Sequence, residues 1–277
     1  MMQRMKFAGK TAVITGAASG IGRALSAALA SHGCHLALAD INEVALRAVA
    51  NDLTQPGLRV SANALDVGDA GAIAEFAQTV EAEHGGAHLL FNNAGVALGG
   101  AFEDITPDDF EWLFDINFRG VVRMTRAFLP LLRGADMAHI INISSLFGLI
   151  APAGQTAYCA SKFAVRGFSD SLRHELAGSS IGVTTVHPGG VNTQIAMNAR
   201  TSAKVSNEER DRGIAHSQRL LVMPPPKAAS IILRAVTMRK PRVLVGRDAH
   251  ITALIERLMP SNYWSIIGRK IQMGAQD

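Results

Sequence analysis

Tyr158 and Lys162 stand four residues apart in the run Tyr158-Cys159-Ala160-Ser161-Lys162. On a helix, residues i and i+4 share a face, so a phenol and an ammonium at this spacing point the same way. Coulomb attraction across about 6 Å at an effective dielectric near 20 favours the phenolate by about 3 kcal/mol, roughly two pK units below the ordinary value near 10. A phenol acidified in this way exchanges protons near neutral pH. An exposed cation–aromatic pair with no chemistry satisfies the same spacing, and the pair alone does not choose between the two.

A second group of residues follows the first apolar run. In Thr15-Gly16-Ala17-Ala18-Ser19-Gly20-Ile21-Gly22 the glycines let backbone approach a phosphate, and the helix that opens there offers free N–H groups. Between the first strand and first helix of an open α/β sheet, such a loop holds a pyrophosphate, with Gly16, Ser19, Gly20, Ile21 and Gly22 as its contacts. A plain tight turn is the other reading of a glycine-rich loop taken alone. Gly9-Lys10-Thr11 imitates the end of a P-loop, but Arg4 stands where that motif needs glycine, and the run precedes the strand. Asp40 closes the second apolar run. A carboxylate there accepts ribose hydroxyls and repels a 2′-phosphate, at about 4 kcal/mol per charge pair 4 Å apart and dielectric near 20. Neither Ser19 nor Ile41 offers an offsetting cation, so NAD is expected and NADP disfavoured. The same aspartate suits a helix N-cap, and the two roles are compatible.

Residues of this kind need a rigid frame. Thr11–Thr15, His35–Ala39, Val60–Leu65, Leu89–Asn92, Ile140–Ile143, Val183–Val186 and Val243–Val245 read as strands. Helical segments near 20–32, 43–53, 69–84, 107–133, 156–177 and 226–238 separate them, the last opening at Pro224-Pro225-Pro226. Continuous apolar runs, rather than alternation, fit strands covered on both faces. The pattern predicts an α/β fold: one Rossmann domain over 1–277, a doubly wound parallel seven-stranded sheet with helices on both faces. The chain of 277 residues is 48% hydrophobic and 18% charged, which excludes disordered and fibrous classes. Cys34 and Cys159 are too few for a disulfide framework. No apolar run approaches the roughly 18 residues of a membrane span, and Met1 to Lys10 lack a secretory apolar core, so a cytoplasmic protein is expected.

The net charge of +4 is unevenly spread. Residues 1–199 carry 13 Lys/Arg against 17 Asp/Glu, whereas residues 200–277 carry 14 against 6. A basic last quarter suits an anionic substrate, lipid headgroups or merely a solvated face; without a nucleic-acid-binding motif, nucleic acid is not an expected partner. In the extension 247–277, Ile251, Leu254, Ile255, Leu258 and Met259 recur at helical spacing before Pro260. Tyr263, Trp264, Ile266, Ile267 and Ile271 follow, with Arg269 and Lys270 among them. Peripheral membrane contact, an active-site lid, an oligomer contact and a core helix all fit. The stretch 192–222 reads as a substrate loop; its Ile195-Ala196-Met197, with Phe147, Leu149 and Ile150, suggests a lipophilic secondary alcohol or ketone. His84 and His88 have a ligand-like spacing that Gly85-Gly86 interrupts, so no metal is expected. Cys159 and His187 read as packing residues.

Gly16/Gly20/Gly22, Asn92-Asn93-Ala94-Gly95, Ser144-Ser145, Tyr158/Lys162 and Pro188-Gly189 together resemble, in order and spacing, the short-chain dehydrogenase/reductase family across roughly residues 7–245. The T-G-x-x-x-G-I-G form is similar to its short branch. The resemblance implies that Tyr158 exchanges the proton with the substrate oxygen, while Lys162 lowers its pKa and holds the nicotinamide ribose. Ser145 would bond the substrate oxygen, and Asn117 would hold a water in a proton relay. Asn93, Ala94 and Gly95 would line the adenosine end, and Asp66-Val67 would contact adenine. Pro188, Gly189, Val191 and Thr193 would pass the nicotinamide, the last two bonding its carboxamide. The resemblance further implies a homodimer or homotetramer built on helices near 118–133 and 156–177. The expected function is NAD-dependent hydride transfer to or from a lipophilic alcohol or ketone. An NADPH-dependent 3-oxoacyl thioester reductase, a cofactor-binding regulatory protein without turnover and a membrane-surface scaffold are the competing expectations.

Overall fold

The computed structural model describes residues 4–202 and 204–273. The first half alternates strand and helix: β1 (Thr11–Thr15), α1 (Gly20–Ser31), β2 (His35–Asp40), α2 (Glu43–Leu53), β3 (Val60–Ala64), α3 (Ala70–His84) and β4 (Leu89–Asn92). A two-residue strand β5 (Leu98–Gly99) leads into α4 (Pro107–Phe114), a π-helical turn over Asp115–Arg119 and α5 (Gly120–Arg133). Next come β6 (Ala138–Ile143), a 3₁₀ turn over Leu146–Gly148, α6 (Thr156–Glu175) and β7 (Ile181–Pro188). The rest comprises β8 (Arg200–Thr201), α7 (Asn207–Leu220), α8 (Pro225–Thr237), β9 (Arg242–Val245), α9 (Arg247–Leu258) and α10 (Tyr263–Met273).

Seven strands form one parallel sheet in the order β3-β2-β1-β4-β6-β7-β9. From β1 the chain winds outward to β3 and then returns to β4 on the other side. That reversal opens a crevice above the carboxyl ends of β1 and β4, the place where such sheets bind ligands. Every residue of β1 and β4 is buried, as their unbroken apolar runs require. On one face Leu25 and Leu29 of α1, Leu46 and Val49 of α2 and Ile232 of α8 close the core. On the other, Phe76 and Val80 of α3, Phe128 and Leu132 of α5 and Leu172 of α6 do so. Each such side chain contributes about 1.5–3 kcal/mol by burial. The two layers thereby hold rigid the strand ends that carry the polar residues.

The seven expected strands are present, with β6 and β7 beginning earlier, at Ala138 and Ile181. The expected helix 107–133 is not uniform, because a π-helical turn widens it around Asn117. The stretch 192–222 is not simply a loop. It contains α7, opened by a capping box in which Ser206 Oγ accepts from Glu209 N and Glu209 Oε2 accepts from Ser206 N. A second small sheet pairs Leu98 with Arg200, tying this stretch to the segment after β4. In the extension, Ile251, Leu254 and Leu258 lie exposed on α9, while the side chains of Arg269, Lys270 and Ile271 lie outside the described residues. Among the described residues no helix is long and apolar enough to cross a membrane.

Candidate active site

The glycine loop fits a pyrophosphate by what it leaves open. Gly16 and Gly20 adopt φ of +65° and +52°, the left-handed region that side chains rarely enter. A Cβ on Gly22 would fall on the Gly16 carbonyl, so only glycine lets α1 start this close to the turn. Ser19 caps α1 without a side-chain hydrogen bond, and no acid stands in the first turn. The helix therefore presents its N–H groups, its partial positive charge and a free hydroxyl to an incoming anion. Ile21 is half-buried and packs against the core behind the loop.

Asn93 binds this loop to β4. Its Nδ2 donates to the carbonyls of Thr15 (2.9 Å) and Gly16 (3.1 Å), while the N–H groups of Asn93 and Ala94 donate to Thr15 Oγ1 at 3.0 Å. Asp40 is braced from two sides, Oδ2 accepting from Ala18 N and Oδ1 from Asn42 N, both at 2.9 Å. The N-cap reading of Asp40 is corrected: the cap of α2 is Asn42, whose Oδ1 accepts from Ala45 N. The next strand end lies alongside, Leu65 N donating to Asp40 O. There Asp66 is exposed, and its Oδ1 accepts from Gly68 N. Val67 by contrast is buried against α5, where a Cβ on Gly120 would stand 3.0 Å from Val67 Cγ2.

Past β4 the chain threads between two polar side chains. A Cβ on Gly95 would come 3.1 Å from Asn117 Oδ1 and 3.4 Å from Lys162 Nζ. Asn117 is fully buried in the π-helical turn; its Oδ1 accepts from Val96 N, and its Nδ2 donates to Val96 O and to Ser161 Oγ. With both amide hydrogens taken, only the remaining Oδ1 lone pair or the main-chain carbonyl can meet a water. Ser161 Oγ in turn donates to the Tyr158 carbonyl at 2.8 Å, a link that sequence reasoning missed because it depends on which helix faces α6.

Tyr158 and Lys162 do share a face of α6, with Nζ 5.7 Å from the ring centroid. Lys162 is buried, so the exposed-pair alternative is excluded. Its Nζ donates to the Ile143 carbonyl at 3.1 Å, and burial brings its pKa down to about 8. The acidified phenol is also corrected. Burial pushes Tyr158 up to about 12, with the Ser145 side chain opposing the rise. Desolvation penalises the anion, and the ammonium lies over the ring while bonding elsewhere.

Ser145 stands at the carboxyl end of β6, in extended conformation, its Oγ accepting from Phe147 N. Phe147 meets the Tyr158 ring edge-on at 6.1 Å. Three contacts hold this turn, two of them buried. Ser144 Oγ donates to the Lys162 carbonyl, Lys162 Nζ holds the Ile143 carbonyl, and His187 Nδ1 lies 2.9 Å from the Ser145 carbonyl. A carbonyl only accepts, so His187 carries its proton on Nδ1; burial lowers its pKa to about 4 and keeps the ring neutral. A packing histidine was expected here, and its position shows what it packs for.

The opposite wall is the segment after β7. Pro188 ends the strand, Gly189 N donates to Val245 O, and Val191 is buried. A Cβ on Gly20 would meet Thr193 Cγ2 at 3.0 Å, so this segment reaches back to the glycine loop. Elsewhere, His84 Nε2 pairs with Ser61 Oγ, and His88 Nδ1 accepts from Thr11 N, so the two histidines face different partners. Cys159 is buried, its thiol pushed up to about 12.

The short chain dehydrogenase family model matches residues 10–204. A Mycobacterium tuberculosis protein named as the oxidoreductase SadH is 41% identical over 265 residues, covering 94% of this chain and 95% of that one. Among solved structures, a Burkholderia phymatum short chain dehydrogenase/reductase in complex with NAD aligns with a TM-score of 0.86 at 32% identity, over 92% of this chain and 95% of that chain. A metagenomic short-chain oxidoreductase in complex with NADP aligns with a TM-score of 0.71 at 31% identity, over 87% and 98%.

Proposed function

Given that the chain belongs to the short-chain dehydrogenase/reductase family, a family of NAD(P)-dependent oxidoreductases, we propose that it uses NAD to interconvert a lipophilic secondary alcohol and its ketone. The observation that carries this reading is the junction of Tyr158, Lys162, Ser145 and Asn117 above the carboxyl ends of β4 and β6, opposite a glycine loop shaped for phosphates. Gly16, Ser19, Gly20, Ile21 and Gly22 would hold the pyrophosphate, Asp40 the adenosine ribose, and Asn93, Ala94 and Gly95 the floor between them. Pro188, Gly189, Val191 and Thr193 would flank the nicotinamide. Solved relatives hold NAD in one case and NADP in another, so family membership leaves the choice open, and Asp40 favours NAD.

When bound, the nicotinamide supplies the two-electron acceptor or donor; the protein's part is proton handling and placement. Ser145 offers a hydroxyl to the substrate oxygen. Tyr158, with a pKa of about 12, holds its proton at neutral pH, which suits donation to the oxygen of a ketone being reduced. In oxidation the same phenol must first give up its proton, and Lys162 is the cation beside it that stabilises the anion. The buried carbonyls that anchor Lys162 and Ser145 keep both groups in place while the proton moves. Phe147, packed on Tyr158, gives the substrate side an apolar surface.

The test is NAD-linked oxidation of a panel of steroid, terpenoid, aryl and short aliphatic alcohols, followed by NADH absorbance. We expect turnover with at least one lipophilic secondary alcohol. Tyr158→Phe should lose it while still binding NADH. A Phe variant that turns over as fast as the parent overturns the mechanism.

A further inference from the structure

The segment Pro188–Thr193 contains two adjacent glycines and would be loose if left to itself. Backbone hydrogen bonds fix most of it: Gly189 N donates to Val245 O, Val191 N to Gly189 O, Asn192 N to Met223 O, and Met223 N to Gly190 O. The Gly190 N–H goes instead to a side chain. Asp248 Oδ2, in the first turn of α9 and 58 residues further along, accepts it at 2.6 Å. The surroundings are cut to fit that carboxylate. A Cβ on Gly189 or on Gly246 would fall on Asp248, and Gly246 holds a φ of +111° that admits little else. An acid in a first turn ordinarily serves its own helix; this one reaches across to a neighbouring strand end. The same extension touches the other wall of the cleft, Tyr263 Oη accepting from Ala151 N just beyond the Ser145 turn.

We propose that Asp248 is a positioning residue for the nicotinamide half of the site: it fixes the Gly189–Gly190 peptide, and through it Val191 and Thr193, without itself touching the cofactor. The assignment rests on the cofactor reading given above. It predicts a division that a general stabilising role does not. Losing the acceptor should loosen only the segment that would meet the nicotinamide, leaving the glycine loop, Asp40 and Asn93 unchanged.

The experiment compares two ligands on the full chain: NADH, by fluorescence titration, and ADP-ribose, which lacks the nicotinamide, by calorimetry. In Asp248→Ala the NADH Kd should rise about tenfold, the scale of one charge-assisted hydrogen bond. ADP-ribose affinity should hold within about twofold. Asp248→Asn keeps a carbonyl oxygen to accept the Gly190 N–H and should restore most of the NADH affinity, which also separates a lost contact from a fold that failed. Unchanged NADH binding in the Ala variant, or equal weakening of both ligands, overturns the assignment while the cofactor reading stands. A parent protein that binds neither ligand overturns both.

Discussion

Replacing Asp40 by Asn tests the cofactor reading without any knowledge of the substrate. The carboxylate is partly exposed at the end of β2 and is held by Ala18 N and Asn42 N, each at 2.9 Å, so its place is fixed before a ligand arrives. A 2′-phosphate about 4 Å away would meet about 4 kcal/mol of repulsion per charge pair at an effective dielectric near 20; screening at a partly exposed site reduces this to about 2–3 kcal/mol. The arginines of α1 and α2 face acids of their own, Arg23 facing Asp52 and Arg47 facing Glu43, in exposed pairs. The parent should therefore bind NADH about 30- to 150-fold more tightly than NADPH. Asn keeps one oxygen for one of the two N–H donors and leaves the other poorly met, a stability cost of about 1–2 kcal/mol. It removes the charge, so the NADH/NADPH ratio should collapse to within about threefold. Fluorescence titration with both reduced cofactors at low and high salt reads the ratio and its screening. Equal affinities in the parent, or a ratio that Asn leaves alone, would refute the electrostatic reasoning.

Three further outcomes follow from the same geometry. Gly22→Ala places a methyl on the Gly16 carbonyl and should cost about 1–3 kcal/mol of stability together with most NADH binding. Gly213→Ala in α7 meets nothing within 4 Å and should be neutral or slightly stabilising; equal damage in both variants would count against the close approach. His139 is fully buried between β6 and β7, its pKa lowered to about 3 by burial, so the unfolded chain binds the extra proton below pH 6.5. Stability from His139 is complete above pH 6.5 and drains away towards pH 3, by up to roughly 5 kcal/mol, and His139→Gln should flatten that limb in urea titrations at pH 7, 5 and 4. Lys162 acts in the same sense at alkaline pH: with a folded pKa of about 8 against 10.5, the unfolded chain binds more protons in that window, and stability rises with pH. Lys162→Met should erase the rise and be the more stable protein at pH 7 while lacking turnover; a Met variant with the parent's alkaline slope would dismiss the buried-ammonium account.

Which parts were legible in sequence depends on how local their causes are. The strands were, because a strand covered on both faces has to be apolar along its length, and Leu89–Asn92 or His35–Ala39 can be little else. The glycine loop was, because the strand before it and the helix after it frame its spacing. The π-helical turn at Asp115–Arg119 was not: its widening follows from Asn117 reaching Val96 and from Gly120 lying against Val67, contacts made with distant segments. Helix α7 had a readable signature in Ser206-Asn207-Glu208-Glu209, hidden because the helix is so polar that no apolar stripe drew attention to it. Asp248 was not legible at all, since nothing in its neighbours announces Gly190.

The phenol is the instructive failure. Spacing on a helix correctly placed Lys162 near Tyr158, and a pairwise Coulomb estimate then favoured the phenolate. That estimate counted the attraction between two charges and omitted the cost of having either one away from water. Burial is the largest cause of displacement for each group, the phenol going up to about 12 against the opposing Ser145 side chain and the ammonium down to about 8. These shifts match the expected attraction in size and oppose it in sign. The balance is decided by how α6, β6 and the Ser145 turn close over the pair, a tertiary quantity that no spacing carries. At neutral pH the ligand-free pair consequently holds its proton on Tyr158, and any charge or hydrogen bond that a bound partner brings to the cleft acts on groups already displaced towards their neutral forms.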